Sequence, residues 1–168
     1  LMEEYNRCRD LIFQLPKISY KEAFYSGDYV ENPAMQLVID YMKSLAEEID
    51  ERSPMAVEEY KNKLYAKIKE VLDEREPDDA RILTEVAIFA DKVAVAEETV
   101  RLRSHIKQLC DLISSDAAVG RKLDFIVQEM NREANTILSK ANDLETSNYA
   151  IDLKTGIEKV REQIQNIE

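Results

Sequence analysis

The sequence predicts an all-α protein in which long antiparallel helices pack as a bundle. Hydrophobic residues make up 45% of the 168 positions and charged residues 34%, with only 3 glycines and 4 prolines. This composition is typical of a helical domain, and it disfavours both disorder and a strand-and-turn architecture. From Met35 onward, apolar residues recur at steps of three and four, the spacing of one helix face. We therefore separate a first segment, 1–34, from a helical domain over 35–168.

The first segment carries the weaker signals. Residues 1–15 predict a short helix that ends near Pro16, because proline cannot continue a helix. Residues 17–34 are irregular in spacing and rich in aromatic side chains, which predicts a loop-rich connection.

A helical hairpin is predicted around Ser53 and Pro54. Before this pair, one apolar face is formed by Val38, Met42, Leu45 and Ile49. Serine is a good N-cap and proline is favoured in the first helical turn, so the pair predicts the start of a second helix.

After a break at Pro77, the pattern predicts one long helix from Asp78 or Asp79 to about Ile113. Two apolar stripes run along it, which indicates a helix sandwiched between neighbours. Four residues fall between the stripes, within an arc of roughly 60° at 100° per residue: Ala94, Glu98, Arg101 and His105. Polar groups in such a position need partners, because unpaired burial of charge is costly.

Two further helices are predicted, from Gly120 to about Asn142 and from about Ser147 to the end. A line of polar residues runs beside the apolar stripe of the helix that begins at Gly120: Asp124, Gln128, Asn131, Asn135 and Asn142. Such a line either hydrogen-bonds a neighbouring helix or lines a site. The last helix carries apolar residues at heptad spacing, which we call the heptad seam: Ala150, Leu153, Ile157, Val160, Ile164 and Ile167. Such a seam packs either inside the bundle or against another copy of the chain.

Composition also limits the classes of function. No apolar run approaches the roughly 18 residues of a membrane span, and no secretory signal opens the sequence, so we expect a cytoplasmic protein with no membrane partner. Cys8 and Cys110 are too few for a disulfide framework or a zinc site. The net charge of -11 opposes nucleic-acid binding unless local basic clusters, bridging metal ions or protein outside this chain contact the phosphates.

Three stretches of the sequence carry long motifs. Residues 120–140 contain GRKLDF, QEMNREANT and SK, residues 90–105 contain ADK, EE and RLRSH, and the chain ends in IEKVREQIQNIE. These stretches resemble the motifs GRxLDFxxQExNREANTxxSK, ADKxDxxEExxRLxSH and IExxREQxQNIE of the YicC/YloC-type endoribonucleases. The resemblance is strongest over 78–168.

This resemblance implies cleavage of single-stranded RNA in RNA turnover, with Mg²⁺ or Mn²⁺ as cofactor, by a cytoplasmic homo-oligomer, a hexamer. It also implies that the chain is the C-terminal portion of a larger oligomeric protein. Residues 1–34 would then be a connector and a remnant of a preceding β-containing domain that this chain lacks.

Site residues follow from the resemblance. The carboxylates Glu98, Asp124, Glu129 and Glu133 are the candidate metal ligands, because hard divalent ions prefer carboxylate oxygens. His105, the only histidine, is the candidate general acid or base, with Glu98 and Arg101 beside it. The alternative is an ion-pair ladder along a half-buried helix face.

Seven cations are candidates for RNA contact: Arg101, Arg103, Lys107, Arg121, Lys122, Arg132 and Lys140. No acid occurs between Arg101 and Cys110, which makes this the most basic stretch. Arg121 and Lys122 open a helix, where cations are disfavoured by the dipole, and that favours ligand contact. Arg132 could instead form a surface pair with Glu129.

One position departs from the family pattern. The family has an aspartate where this chain has Ala94, which implies weak or no cleavage activity. The acidity, the heptad seam and Ala94 support an alternative function: a helical oligomerisation module without catalytic activity of its own. A small-molecule enzyme is disfavoured, because the sequence has no phosphate loop, nucleophile elbow or HExxH motif.

Overall fold

Amphipathic helices account for nearly all of the chain that the computed structural model describes, residues 33–72, 78–113 and 120–165. Five helices occur within these ranges. They are α1 (Pro33–Leu72), α2 (Asp79–Val93), α3 (Ala96–Ile113), α4 (Gly120–Lys140) and α5 (Leu144–Gln165). The all-α prediction is confirmed. The helix predicted over 1–15 lies outside the described residues, as does the loop predicted over 17–34 except Pro33 and Ala34, which are helical.

The first part of α1 packs with α3, α4 and α5 around one apolar core. Each helix contributes a stripe of buried side chains, among them Met42, Leu102, Met130 and Ile157. α5 lies between α1 and α4, and α4 lies against α3. This arrangement buries the predicted heptad seam from Ala150 to Ile164 within the chain itself, so this part of the seam packs inside the bundle. Its last position, Ile167, lies outside the described residues.

The hairpin predicted at Ser53 and Pro54 is wrong, because α1 continues through both residues. Proline removes one backbone hydrogen-bond donor from the helix, but an ion pair between two side chains spans this position. Arg52 donates to both carboxylate oxygens of Glu59, at 2.7 and 3.0 Å, on the far side of the proline. Instead α1 pairs with α2, where the Tyr60 and Phe89 rings stack with centroids 3.8 Å apart.

The single long helix predicted up to Ile113 is also wrong, because it breaks at Ala94 and Val95. Ala94 has extended backbone, with φ -62° and ψ 118°, and Val95 is buried in the core. The break lets α2 pack along α1 while α3 enters the bundle. Each of the two apolar stripes is therefore divided between α2 and α3, and Ile88 and Val100 are exposed.

The last helix begins earlier than predicted, because Asp143 caps it in place of Ser147. The Asp143 carboxylate accepts from the backbone N–H groups of Glu145 and Thr146, both at 3.1 Å. Burial would raise the pKa of this carboxyl, but hydrogen bonds from Thr146 and Arg52 outweigh it and lower the pKa. Arg52 thus ties α1 to the start of α5.

None of the helices in the described ranges is long and apolar enough to cross a bilayer.

Replacing Ile157 with alanine should destabilise the fold by about 2–5 kcal/mol, because its side chain is fully buried and its loss leaves a cavity. The matched control is Ile151→Ala on the same helix, where the side chain is 49% exposed. That change should cost no more than about 0.5 kcal/mol. Urea unfolding measures both, and equal costs would contradict the packing of α5.

Candidate functional site

Two buried carboxylates lie where α3 and α4 meet. Glu98, in the first turn of α3, is 4% exposed, and Glu133, in the middle of α4, is 6% exposed. A buried carboxylate is costly unless it is paired and hydrogen-bonded. Two cations lie beside them, and we call these four side chains the α3–α4 cluster: Glu98, Arg101, Glu133 and Lys140.

Arg101 bridges the two acids, with Nη2 3.2 Å from Glu98 Oε1 and Nε 3.1 Å from Glu133 Oε1. Its hydrogen bond to Glu133 raises the pKa of the guanidinium. Lys140, at the end of α4, donates to Glu98 Oε1 at 3.1 Å. Each buried acid therefore has a cation partner, and each cation remains partly open to solvent.

Ala94 adjoins this cluster, but for a different reason than predicted. It lies in the break between α2 and α3, so it does not share a helix face with Glu98. Its carbonyl oxygen accepts from Lys140 Nζ at 2.8 Å, and the same ammonium binds Glu98. Position 94 therefore contacts the cluster through its backbone carbonyl.

His105 lies on the same side of α3, seven residues after Glu98, or about 10 Å along the helix axis. Its Nδ1 atom is buried and finds no hydrogen-bond partner among the described residues, and neither does Glu98 Oε2. The ion-pair ladder therefore includes Glu98 and Arg101 and stops short of His105.

The most basic stretch of the sequence is neutralised by acids in the structure. Arg103 pairs with Asp50 on α1, and Lys107 pairs with Asp111 at 3.0 Å. Asp50 also accepts from the Thr99 hydroxyl at 2.6 Å. Sequence reasoning missed Asp50, because it is 53 positions from Arg103 and no local pattern joins them.

Besides Lys140, three of the predicted RNA contacts lie on α4. Arg121 and Lys122 are exposed, and no ion pair to them occurs within the described part of the chain. They line an open groove of about 510 Å³ with Phe125, whose side chain is 62% exposed. Arg132 pairs with Glu129 at 3.0 Å, which is the predicted surface pair.

Two of the four candidate metal ligands, Glu98 and Glu133, are brought together, and Asp124 and Glu129 are held by other partners. Glu98 and Glu133 are bound by Arg101, Asp124 accepts from Gln128 at 2.8 Å, and Glu129 pairs with Arg132. Across 33–72, 78–113 and 120–165, no three acidic, histidine or cysteine side chains group as metal ligands would. The described residues alone do not fit a divalent-ion site.

A second surface is an open groove of about 560 Å³ beside α4 and α5. Six of its polar lining residues are Gln128, Asn131, Arg132, Asn135, Thr136 and Arg161. Asn131 donates to Glu158 on α5 at 2.7 Å, so the predicted amide line both bonds a neighbouring helix and lines a groove. Sequence reasoning missed Arg161, although its position directly after Val160 in the seam could have indicated it.

Comparison with known proteins supports one family. A family model described as endoribonuclease YicC-like, C-terminal, matches residues 49–168. The chain is 49% identical over 130 residues to a probable endoribonuclease YicC of Clostridioides difficile strain 630, covering 77% of this chain and 44% of that protein. It is 45% identical over 91 residues to a probable endoribonuclease YicC of Haemophilus influenzae Rd, covering 54% of this chain and 32% of that protein. The chain spans less than half the length of either relative.

Arg101→Ala should lower the melting temperature, because it leaves Glu133 buried without its cation. Lys107→Ala is the matched control, since it also removes one positive charge but its partner Asp111 is exposed. Thermal unfolding followed by circular dichroism measures both, and equal melting temperatures would show that Arg101 does not hold the buried acids.

Proposed function

The chain belongs to the YicC-like endoribonuclease family, and we propose that it is the helical C-terminal part of an enzyme that cleaves single-stranded RNA. The observation that carries this proposal is the match over 49–168, which contains the whole α3–α4 cluster. The cluster also joins the two stretches that resemble the family, one on α3 and one on α4.

The side chains at this face suit phosphodiester cleavage. RNA hydrolysis needs a proton acceptor, a proton donor and positive charge near the phosphate oxygens. His105, which is partly exposed, is the proposed group for proton transfer. Arg101 is 49% exposed, and its Nη1 atom lies 3.5 Å from the largely exposed Glu97 carboxylate, a contact that a phosphate could replace. Glu98 and Glu133 orient that guanidinium from the buried side.

We also propose that cleavage requires Mg²⁺ or Mn²⁺, whose charge would stabilise the phosphate oxygens. The candidate ligands remain Glu98, Asp124, Glu129 and Glu133. Because the described residues do not gather them, the ligand set would need groups beyond these residues. The roles given above to His105 and Arg101 do not depend on the ion.

The assembly and location proposed for the enzyme are a homo-hexamer in the cytoplasm. The heptad seam is covered within the chain, so contact between copies would have to use other surfaces. Exposed apolar side chains on α1 and α2 offer one, among them Met55, Val71, Leu83 and Ile88.

The alternative is a structural module without chemistry. It is favoured by the net charge of -11 and by the acids that neutralise the stretch from Arg101 to Lys107. Labelled single-stranded RNA, incubated with Mn²⁺ or with EDTA, discriminates the two functions. Because the relatives are longer, the chain should be assayed alone and fused to the segment of the Clostridioides difficile relative that it does not match. The absence of EDTA-sensitive cleavage in both proteins, and also in the Ala94→Asp variant of the fused protein, would contradict the enzyme proposal.

Ala94→Asp should raise Mn²⁺-dependent cleavage at least about tenfold, because it adds a carboxylate beside Lys140 and Glu98. Ala87→Asp, at an exposed position on α2, adds the same charge away from the cluster and should leave the rate unchanged. Initial rates in the fused protein are the measurement. Equal rates for the parent and the Ala94→Asp variant would move the active site elsewhere, with Asp124 and Glu129 next to be tested.

A further inference from the structure

The groove beside α4 and α5 presents an amide-rich surface that the cleavage chemistry does not use. We propose that it binds unpaired bases of single-stranded RNA by their edges and holds the strand beside the α3–α4 cluster. This inference rests on the proposed function, since it assigns a binding site to the same substrate. At about 560 Å³ the groove is within the size range of small-ligand sites and could hold one or two nucleotides.

Amide side chains are suited to this task. Each amide offers two donors and an acceptor, which can pair with the Watson–Crick edge of an unpaired base. Asn135 is exposed and makes no hydrogen bond within the part of the chain that the structure describes. Gln128 bonds only Asp124 on its own helix, at 2.8 Å, and that exposed bond can exchange for one to a base.

Arg161 supplies the strongest indication of a ligand. Its Nε atom is buried and has no acceptor among the described residues, whereas its Nη1 atom lies 3.6 Å from Glu158. A buried donor without an acceptor is costly. The Arg161 side chain as a whole is 40% exposed, so its guanidinium can turn this donor toward a base carbonyl or a phosphate oxygen in the groove.

The charges of the groove indicate recognition of bases more than of phosphates. Arg132 is paired with Glu129, and Arg161 lies beside Glu158, so these four side chains sum to zero. Binding dominated by phosphates needs an excess of cations. Base edges are accessible in a single strand and hidden in a duplex, so the groove should select single-stranded RNA.

The groove and the cluster are neighbours on the surface of α4. Thr136 lines the groove and lies one turn before Lys140, and residues four apart share a helix face. Arg132 precedes Glu133 directly. A strand held by Asn131 and Asn135 can therefore continue around α4 to the cluster.

The test is the affinity of the chain for a labelled 12-nucleotide RNA, single-stranded or in a duplex, measured by fluorescence anisotropy with EDTA present. Asn135→Ala and Arg161→Gln should each raise the Kd for the single strand at least about fivefold. Asn148→Ala and Arg81→Gln are matched controls, because they remove an exposed amide and an exposed arginine elsewhere. The Kd of each control variant for the single strand should stay within about twofold of the parent value. Asn131 is left intact, because it bonds α5.

Unchanged affinity in both groove variants would overturn the inference, as would equal affinity for duplex and single strand or no RNA binding by the parent. Light scattering is run in parallel. If the groove variants change the oligomer mass and not the Kd, the groove binds a second copy, which also overturns it. Binding that depends on the groove, together with no Mn²⁺-dependent cleavage by the fused protein or its Ala94→Asp variant, would instead refute the proposed function and leave this inference standing.

Discussion

The pairing of two buried carboxylates with cations at the α3–α4 contact is the constraint on which the described structure depends. Glu98 and Glu133 lie on different helices, and Arg101 contacts both of them. Lys140 completes the set and also binds the Ala94 carbonyl at the end of α2. Because unpaired buried acids are costly, these contacts fix how α3 lies against α4 and where the preceding helix must end.

The register of α4 then determines what its remaining faces can do. Its apolar face packs into the core through Leu123, Val127 and Met130. Its amides fall on the side toward α5, where Asn131 bonds Glu158 and Arg161 enters the groove. The proposed catalytic face and the proposed binding groove are thus two sides of one helix.

Much of this architecture could be predicted from the sequence, because periodicity reports burial directly. The heptad seam from Ala150 to Ile164 is buried as predicted, and α4 begins at Gly120 as predicted. The errors arise where long-range contacts override local preference. Arg52, just before Pro54, is paired with Asp143 from 91 positions away, and no glycine or proline marks the break at Ala94.

The candidate site was predictable in part for the same reason. Helical spacing placed Glu98, Arg101 and His105 on one face, and the structure keeps them there. Spacing could not reveal that Glu133 and Lys140 join them from another helix, or that Asp50 neutralises Arg103. Contacts across 42 or 53 positions depend on the packing of the bundle.

A double-mutant cycle between Glu98 and Lys140 tests this constraint most directly. Glu98→Gln, Lys140→Met and the double variant are compared by urea unfolding. If the pair fixes α3 against α4, the two substitutions are coupled by about 1 kcal/mol or more, in the range for contacting residues. Costs that add within about 0.3 kcal/mol would show that the two side chains act independently, and that the α3–α4 cluster does not hold the helices in register.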